Sequence, residues 1–355
     1  MEYVEDVVIV GAGIAGLATA LGLHRIGLRS LVLESSDRLR VNGYAITTWT
    51  NAWKALDALG MSIGGDNELS RVGSGRALKD GFCLFSHWSH HSPVVIYGTG
   101  EMVLVGCDGV NSVVAKWLGL QKPAFTGRSA IRGLAEFPDG HGYKPELLQY
   151  SGKGFRSGFL PCNDKTIYWF LTYSQFTQYK DMEDDPAKMK QFVLSKLQKA
   201  PNEVINALEK TELGAFISTP LRFRVPWNLL WGDICNGGVC VAGDALHPMT
   251  PDLGQGGCSA LEDGVTLARC LGEALLGKHK EGEEECGMIK RGLEKYAKER
   301  RWRGFRLIAT AYVLGFIQQS DGVVMNFLRD KCFSRLMAGM YLKRADFDCG
   351  KLYSP

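Results

Sequence analysis

The stretch that most restricts what this chain can become is Val7 to Glu34. Four apolar residues, Val7 to Val10, run straight into Gly11-Ala12-Gly13-Ile14-Ala15-Gly16, and a helical pattern follows through Leu17, Ala20, Leu21 and Leu23. The chain turns at Gly27, and a second apolar run from Ser30 to Leu33 ends at Glu34. This order predicts a βαβ unit. Gly11 permits the tight turn, Gly13 lets a pyrophosphate approach the backbone closely, and Gly16 allows the helix to pack on its strand. The free N–H groups of the helix start, around Ile14, Ala15 and Gly16, would hold phosphate oxygens at the positive end of the helix dipole. Glu34 stands where a carboxylate accepts hydrogen bonds from both ribose hydroxyls of an adenosine, and it repels a 2′-phosphate. FAD or NAD, not NADP, is therefore the expected occupant; a ligand-free βα turn would explain the glycines but not Glu34.

A chain of 355 residues with 45% hydrophobic content has room for one large domain or two joined ones. The formal charge of +3 is small and evenly spread, so nucleic acid is not an expected partner, and no zinc spacing is present. Ten cysteines in a chain that starts almost at once on a strand, with no secretory or transit leader, are expected to be buried reduced thiols of a cytoplasmic protein. No run approaches the ~20 apolar residues that a membrane span requires.

Further along, residues 44–60 carry Ala45, Ile46, Trp49, Trp53, Leu56 and Leu59 at helical spacing. From Met61 to Tyr97 the glycines Gly64, Gly65, Gly73, Gly75 and Gly81 break every pattern. Phe125 to Ser174 alternates as antiparallel strands do, with turns at Pro138-Asp139-Gly140 and Asn163-Asp164. Helices are expected from Asp185-Pro186, from Pro201 and from Gly256, and a buried strand over Gly238 to Ala242. Lys290 to Arg306 is basic and Ile308 to Ile317 apolar. They read either as a surface helix followed by a core-packed one or as a peripheral membrane contact.

Two more motifs follow the first in order: Gly106-Cys107-Asp108-Gly109-Val110-Asn111-Ser112, and Gly243-Asp244-Ala245-Leu246-His247-Pro248-Met249-Thr250-Pro251-Asp252-Leu253-Gly254-Gln255-Gly256-Gly257. The ordered trio resembles the FAD-dependent aromatic-hydroxylase family, the group A flavin monooxygenases, and especially its plant branch related to salicylate hydroxylase and zeaxanthin epoxidase. The resemblance implies an α/β fold: a Rossmann-like three-layer FAD-binding domain of the glutathione-reductase-like kind, an interleaved antiparallel-sheet substrate domain, and C-terminal helices. The corresponding division is 1–124 with 220–286 for FAD, 125–219 for substrate, and 287–355 for the helices.

The same resemblance implies roles. Asp244 would accept from a ribityl hydroxyl of FAD, its alternative being a helix cap. Asp108 and Gly109 would lie near the pyrophosphate. Gly254, Gly256 and Gly257 would let a helix start approach the flavin, where its N–H groups favour the charge of the reduced ring. Pro251, Gly254, Gln255 and Gly256 would stand at the reacting side of the ring, although Pro251 also suits a plain rigid turn. His247 is read as structural. The implied chemistry takes a hydride from NAD(P)H, bound transiently without a second Rossmann fingerprint. Reduced FAD then meets O2, and a C4a-hydroperoxide delivers one oxygen atom to a small aromatic or hydrophobic substrate. Phe155, Phe159, Tyr168, Trp169 and Phe170 would either line that substrate's pocket or fill a core.

Three features depart from the family. Val114 stands where most members carry arginine, with Lys116 two residues on. The segment before Asp108 is short, leaving Arg71 or Arg76 as the cation for the flavin phosphates. His87, His90 and His91 lack the companion ligands a metal site needs. Two alternatives stay open: a flavin-dependent isoprenoid reductase, and a shortened inactive form with weakened FAD binding.

Overall fold

The computed structural model describes residues 6–37, 46–61, 85–87, 102–152, 154–174, 182, 184–277, 284–319 and 334–352. The first part of the chain gives β1 (Val7–Val10), α1 (Ile14–Arg25), β2 (Ser30–Glu34), α2 (Thr50–Ala58), β3 (Phe85–His87), β4 (Val103–Gly106) and α3 (Val113–Trp117). Next come β5 (Ala124–Glu136), β6 (Leu148–Gly152), β7 (Phe155–Asn163), β8 (Thr166–Ser174), α4 (Pro186–Lys196), α5 (Asn202–Lys210) and β9 (Ile217–Phe223). The chain then returns through α6 (Pro226–Trp231), β10 (Cys235–Asn236), β11 (Val239–Val241) and α7 (Gly256–Leu275), and ends with α8 (Glu285–Gln319) and α9 (Ser334–Ala345).

One sheet has the order β10-β11-β4-β1-β2-β3 and is parallel except at β10. Its strands are short and apolar on both faces, as strands covered on both sides are. Val7, Ile9, Val32, Val103, Val105, Cys240 and Val241 sit in a single buried core with Leu23, Leu267 and Leu271 from α1 and α7. These two helices pack unusually close because small residues face each other: a Cβ at Gly22 would lie 2.8 Å from that of Ala268, and one at Gly264 2.6 Å from that of Ala18. The second sheet, β6-β7-β8-β5-β9, is antiparallel. One face buries Ile131, Phe159, Ile167, Trp169 and Leu171 against α4 and α5, with Val193, Val204 and Leu208. The architecture is the expected α/β arrangement.

Some boundaries differ from the sequence reading. The helix expected over 44–60 begins only at Thr50, because Trp49 is extended at φ −101°, ψ 172° after the β-branched Thr47 and Thr48. The expected basic helix and the apolar segment after it form one helix of 35 residues. Leu293, Tyr296, Arg300, Arg303, Leu307, Ala311 and Leu314 recur at three and four and make one buried stripe along it. β9 had not been expected: it crosses residue 219 and contains Pro220, which an edge strand tolerates. Among the described residues no helix is long and apolar enough to cross a membrane. Cys107, Cys162, Cys235, Cys240, Cys258, Cys270, Cys286 and Cys349 carry free thiols.

Candidate functional site

The first glycine turn is closed on one side and open on the other. Gly11 has φ +104°, and Asp108 Cα lies 3.2 Å from where its Cβ would be, so the Asp108-Gly109 loop rests on this turn. A Cβ on Gly16 would strike the Gly11 carbonyl. Gly13, by contrast, faces nothing within 4 Å, and it caps α1 without any side-chain hydrogen bond. The amides of the first helical turn therefore point at space. Glu34 Oε2 accepts from Ala12 N–H at 2.7 Å, and Oε1 accepts from Ser36 N–H at 2.9 Å. Burial raises this carboxyl, but the backbone donors at Ser36, Ala12 and Ser35 outweigh burial and hold it below the usual value. It is ionised and keeps acceptor capacity for a hydroxyl.

Asp108 is engaged locally. Ser112 Oγ donates to its Oδ1 at 2.5 Å and Val113 N–H to its Oδ2 at 2.7 Å, so the carboxylate helps to start α3. What this loop offers outward is backbone, through Gly109 at φ +79°. Val114 is on the buried face of α3, and its side chain packs so tightly on Gly106 that a Cβ there would approach to 2.5 Å. No guanidinium could be accommodated at that position without opening the core.

The second motif comes to the same place. Gly243, at φ +61°, sits where a Cβ would be 2.7 Å from Ala15 Cβ, and a Cβ on Gly257 would be 3.4 Å from Ile14 Cδ1. The starts of α1 and α7 thus adjoin. Gly256 again faces nothing within 4 Å, and the α7 start has no side-chain cap. Asp244 reaches solvent, yet the protein around it raises its carboxyl above the usual value, ahead of the lowering by His247 and the raising by Asp263. A carboxylate both accessible and surrounded lies in a concavity, and this one has no hydrogen-bond or ion-pair partner among the described residues. Trp49 adds an indole N–H that is buried without a partner, 3.4 Å from where a Cβ on Gly254 would be. Open glycines at two helix starts, an unpartnered carboxylate and an orphan donor fit a long ligand that carries phosphates and hydroxyls.

Behind this cradle lies a buried ionic network that the sequence reading did not find. Glu262 receives Arg300 Nη1 at 2.7 Å and both Nε and Nη2 of Arg303 at 3.0 and 2.6 Å. Asp263 receives Arg300 Nε, His247 Nε2 at 2.6 Å and the Gly243 N–H at 2.7 Å. Burial raises both carboxyls, but Arg300 and Arg303 at Glu262, and His247 and Arg300 at Asp263, prevail and hold both low. The network pins the Gly243-Asp244 turn to α7 and α8. His247 is accordingly a structural residue, as expected. The only sequence signal was charge placed within the buried stripe of α8.

Pro251 and Gly254 are exposed and Gly256 is half-buried, whereas Gln255 is buried and accepts from Asn51 Nδ2 at 2.8 Å, joining α2 to α7. Asp252, between them, is 1% exposed. Arg128 grips it from β5 with both terminal nitrogens, at 3.2 and 2.7 Å, and Arg156 from β7 at 3.4 Å. Strand pairing puts Arg128 and Arg156 on the same pleat face as Tyr168, Phe170 and Thr172. This face therefore confronts the Pro251–Leu253 turn. The five aromatic residues divide accordingly: Phe159 and Trp169 are core, Phe155 packs on that core, and Tyr168 and Phe170 lie on the face toward the turn. Arg156 stands over the Phe170 ring at 5.7 Å.

Arg71, Arg76, His90 and His91 lie outside the described residues, as does the side chain of His87. Among the described residues no group of three His, Cys, Asp or Glu side chains is placed to hold a metal ion.

Comparison with known proteins agrees with this geometry. Residues 102–311 and 6–67 each match an FAD binding domain. Monooxygenase 2 of Arabidopsis thaliana is 46% identical over 404 aligned positions, covering 99% of both chains. Since this chain has 355 residues, at least 404 minus 355, or 49, of those positions oppose a gap in it. The 3-hydroxybenzoate 6-hydroxylase of Klebsiella oxytoca is 27% identical, over 77% of this chain and 81% of its own. Among solved structures, Klebsiella pneumoniae HpxO complexed with FAD and uric acid superposes with a TM-score of 0.74 at 20% identity, over 96% of each chain.

Proposed function

The chain belongs to the FAD-dependent aromatic-hydroxylase family and is an FAD-dependent monooxygenase; from that premise we propose that it uses NAD(P)H and O2 to place one oxygen atom on a small aromatic or hydrophobic molecule. The observation that carries the reading is the pair of adjoining helix starts, with open Gly13 and Gly256 and the unpartnered Asp244 beside them. The amides of Ile14, Ala15 and Gly16 bind the phosphates, helped by the backbone of Asp108-Gly109. Glu34 accepts from the adenosine ribose, and Asp244 from the ribityl chain. The start of α7, at Gly256 and Gly257, presents amide hydrogens to the ring edge that gains charge on reduction. Pro251, Gly254 and the Gln255 backbone border its reacting side. FAD supplies the redox chemistry, accepting a hydride and activating oxygen; the residues above bind, orient and exclude water.

The proposed division is 1–124 with 220–286 around FAD, 125–219 over the substrate, and 287–355 as helices, except that β9 carries the substrate unit on to Phe223. Phe170 beneath Arg156, with Tyr168 beside it, suits a flat substrate bearing a polar group, and the names of the relatives above, a hydroxybenzoate hydroxylase and a uric acid complex, support that class. The test is to record the visible spectrum of the purified protein, then follow NADH and NADPH oxidation with O2 uptake across phenolic and isoprenoid compounds. One compound that raises both rates together is the expected result. Substrate turnover without O2 uptake would instead make the protein an isoprenoid reductase.

A second reading has its own observation. The family matches leave residues 68–101 uncovered, and at least 404 minus 355, or 49, positions of the Arabidopsis relative are missing here. A shortened form that retains FAD weakly would show substoichiometric flavin after purification and recover colour in excess FAD.

A further inference from the structure

The apolar run of α8 is two-faced: Leu307, Ile308, Ala311 and Leu314 are in the core, whereas Tyr312, Val313 and Phe316 are exposed. A denser outward aromatic surface lies one to two turns earlier and is shared with α6. Trp227, Trp231 and Trp302 are 56%, 77% and 54% exposed. They adjoin one another: Trp227 stacks on Trp231 at 5.8 Å, and Phe305 joins Trp227 at 5.3 Å to Trp302 at 5.5 Å. A contiguous patch of three exposed indoles marks an interaction surface.

The patch is rigid. Arg301 Nη1 donates to the carbonyls of Leu229, Leu230 and Gly232 at 2.7, 3.0 and 2.7 Å, which fastens the end of α6 to α8. Leu229 beneath it is fully buried. Trp227 and Trp231 are one turn apart on α6, and Lys298, Trp302 and Arg306 succeed one another at four-residue steps on α8, all exposed. Arg306 also lies near enough to Arg344 to help lower that guanidinium, after burial and Arg303. Two exposed carboxylates lie at the Trp231 end, Asp233 and Glu294, and Glu294 is paired with the exposed Lys290 at 4.0 Å.

We propose that Trp227, Trp231, Trp302 and Phe305, rimmed by Lys298 and Arg306, dock this protein on the surface of an anionic lipid bilayer. Indoles have an apolar body and an N–H that suit the headgroup boundary, and cations beside them meet anionic headgroups. A second copy fits less well. Two-fold pairing sets a patch against itself, so Lys298 and Arg306 would face like charges. The surface is separate from the flavin cradle, and its test does not depend on the substrate.

The FAD-loaded full chain is floated with phosphatidylcholine vesicles, with and without phosphatidylserine. Binding is expected with phosphatidylserine at low salt, with tryptophan emission shifted to the blue and quenched by brominated acyl chains. Lys298→Glu with Arg306→Glu should weaken binding by about fivefold or more for each position while flavin content stays unchanged. The triple variant Trp227→Ser, Trp231→Ser, Trp302→Ser should abolish it. Should that variant not fold, bromolipid quenching of the unaltered protein decides alone. Failure of the unaltered protein to bind either vesicle overturns the proposal. So does a dimer, seen by light scattering, that the charge or indole substitutions dissolve.

Discussion

Two buried charge clusters flank the site, and they hold it in different ways. Glu262, Asp263, Arg300, Arg303 and His247 belong to α7, α8 and the turn between β11 and α7, and their paired groups are essentially excluded from solvent. Asp252, Arg128 and Arg156 instead tie a turn of one unit to two strands of the antiparallel sheet, with Gln318 of α8 accepting from Arg156 at 2.7 Å. The first cluster is a floor under the cofactor cradle. The second is a seam across which the sheet meets the reacting side. Buried ion pairs add little stability relative to apolar residues, but breaking one leaves an unmatched charge. Both clusters therefore fix geometry, and each should respond differently to the loss of one member.

The largest effect is expected at the floor. Arg300→Leu leaves Glu262 and Asp263 buried with a guanidinium missing, which should cost about 3–5 kcal/mol. Denaturant unfolding should show the loss, with flavin released at the same midpoint because Gly243 is held through Asp263. A cost below about 1 kcal/mol, the range of an exposed pair, would show that the floor does not hold the turn.

At the seam Asp252→Asn should cost less, toward the lower end of the same range of about 3–5 kcal/mol. Asparagine keeps one acceptor, and Gln318 still engages Arg156. Here the outcome to measure is a split. Flavin content should persist, while substrate-stimulated NAD(P)H oxidation falls, because the sheet face is no longer registered on the Pro251–Leu253 turn. Equal loss of flavin would erase the distinction between floor and seam.

The contrast also explains what was legible in the sequence. The three motifs could be read because each is a local run whose glycines and acids stand within a few residues of one another. The floor joins residues nearly forty positions apart, and the seam joins Asp252 to β5 and β7 across about a hundred. No local pattern announces such pairings. Asp244 was readable by its motif, but its lack of a partner among the described residues only by its surroundings. β9 contains Pro220, and the short helix that carries two of the outward indoles begins at Pro226, so neither element shows as an uninterrupted periodic run. The division of Tyr168 and Phe170 from Trp169 needed the strand register, since alternation alone does not say which face is the core.

Asp244 gives the sharpest test of sign. Its carboxyl is raised in the folded chain, whereas Glu262 and Asp263 are lowered. The two floor acids contribute stability that is present above their unfolded values, about 3.9–4.3, and lost as pH falls through their lower folded ones. Asp244 does the reverse: its charged form costs the flavin-free chain stability above the raised folded value, and acidification through that value relieves the cost. Asp244→Ala should thus leave the flavin-free chain at least as stable, yet weaken FAD binding by about ten- to a hundredfold. Titration of the flavin-free protein with FAD should show affinity falling on acidification before pH reaches the ordinary aspartate value of about 3.9, and that dependence should flatten in the variant.

The smallest change separates cradle from scaffold with a single methyl group. Gly256 is helical with open space before it, so Gly256→Ala meets no protein atom and exchanges glycine for the best helix former, a gain of up to about 1 kcal/mol. Gly13→Ala is equally unobstructed, at φ −76°. Gly16→Ala, in contrast, drives its methyl into the Gly11 carbonyl and should destabilise the fold whether or not flavin is present. Thermal unfolding of the flavin-free proteins should place the first two at or above the parent and the third below it. FAD titration should then show the first two weakened, because the methyl occupies space that the phosphates or the ring edge need. If Gly256→Ala and Gly13→Ala bind FAD as the parent does, the open space at the two helix starts is not where the cofactor lies.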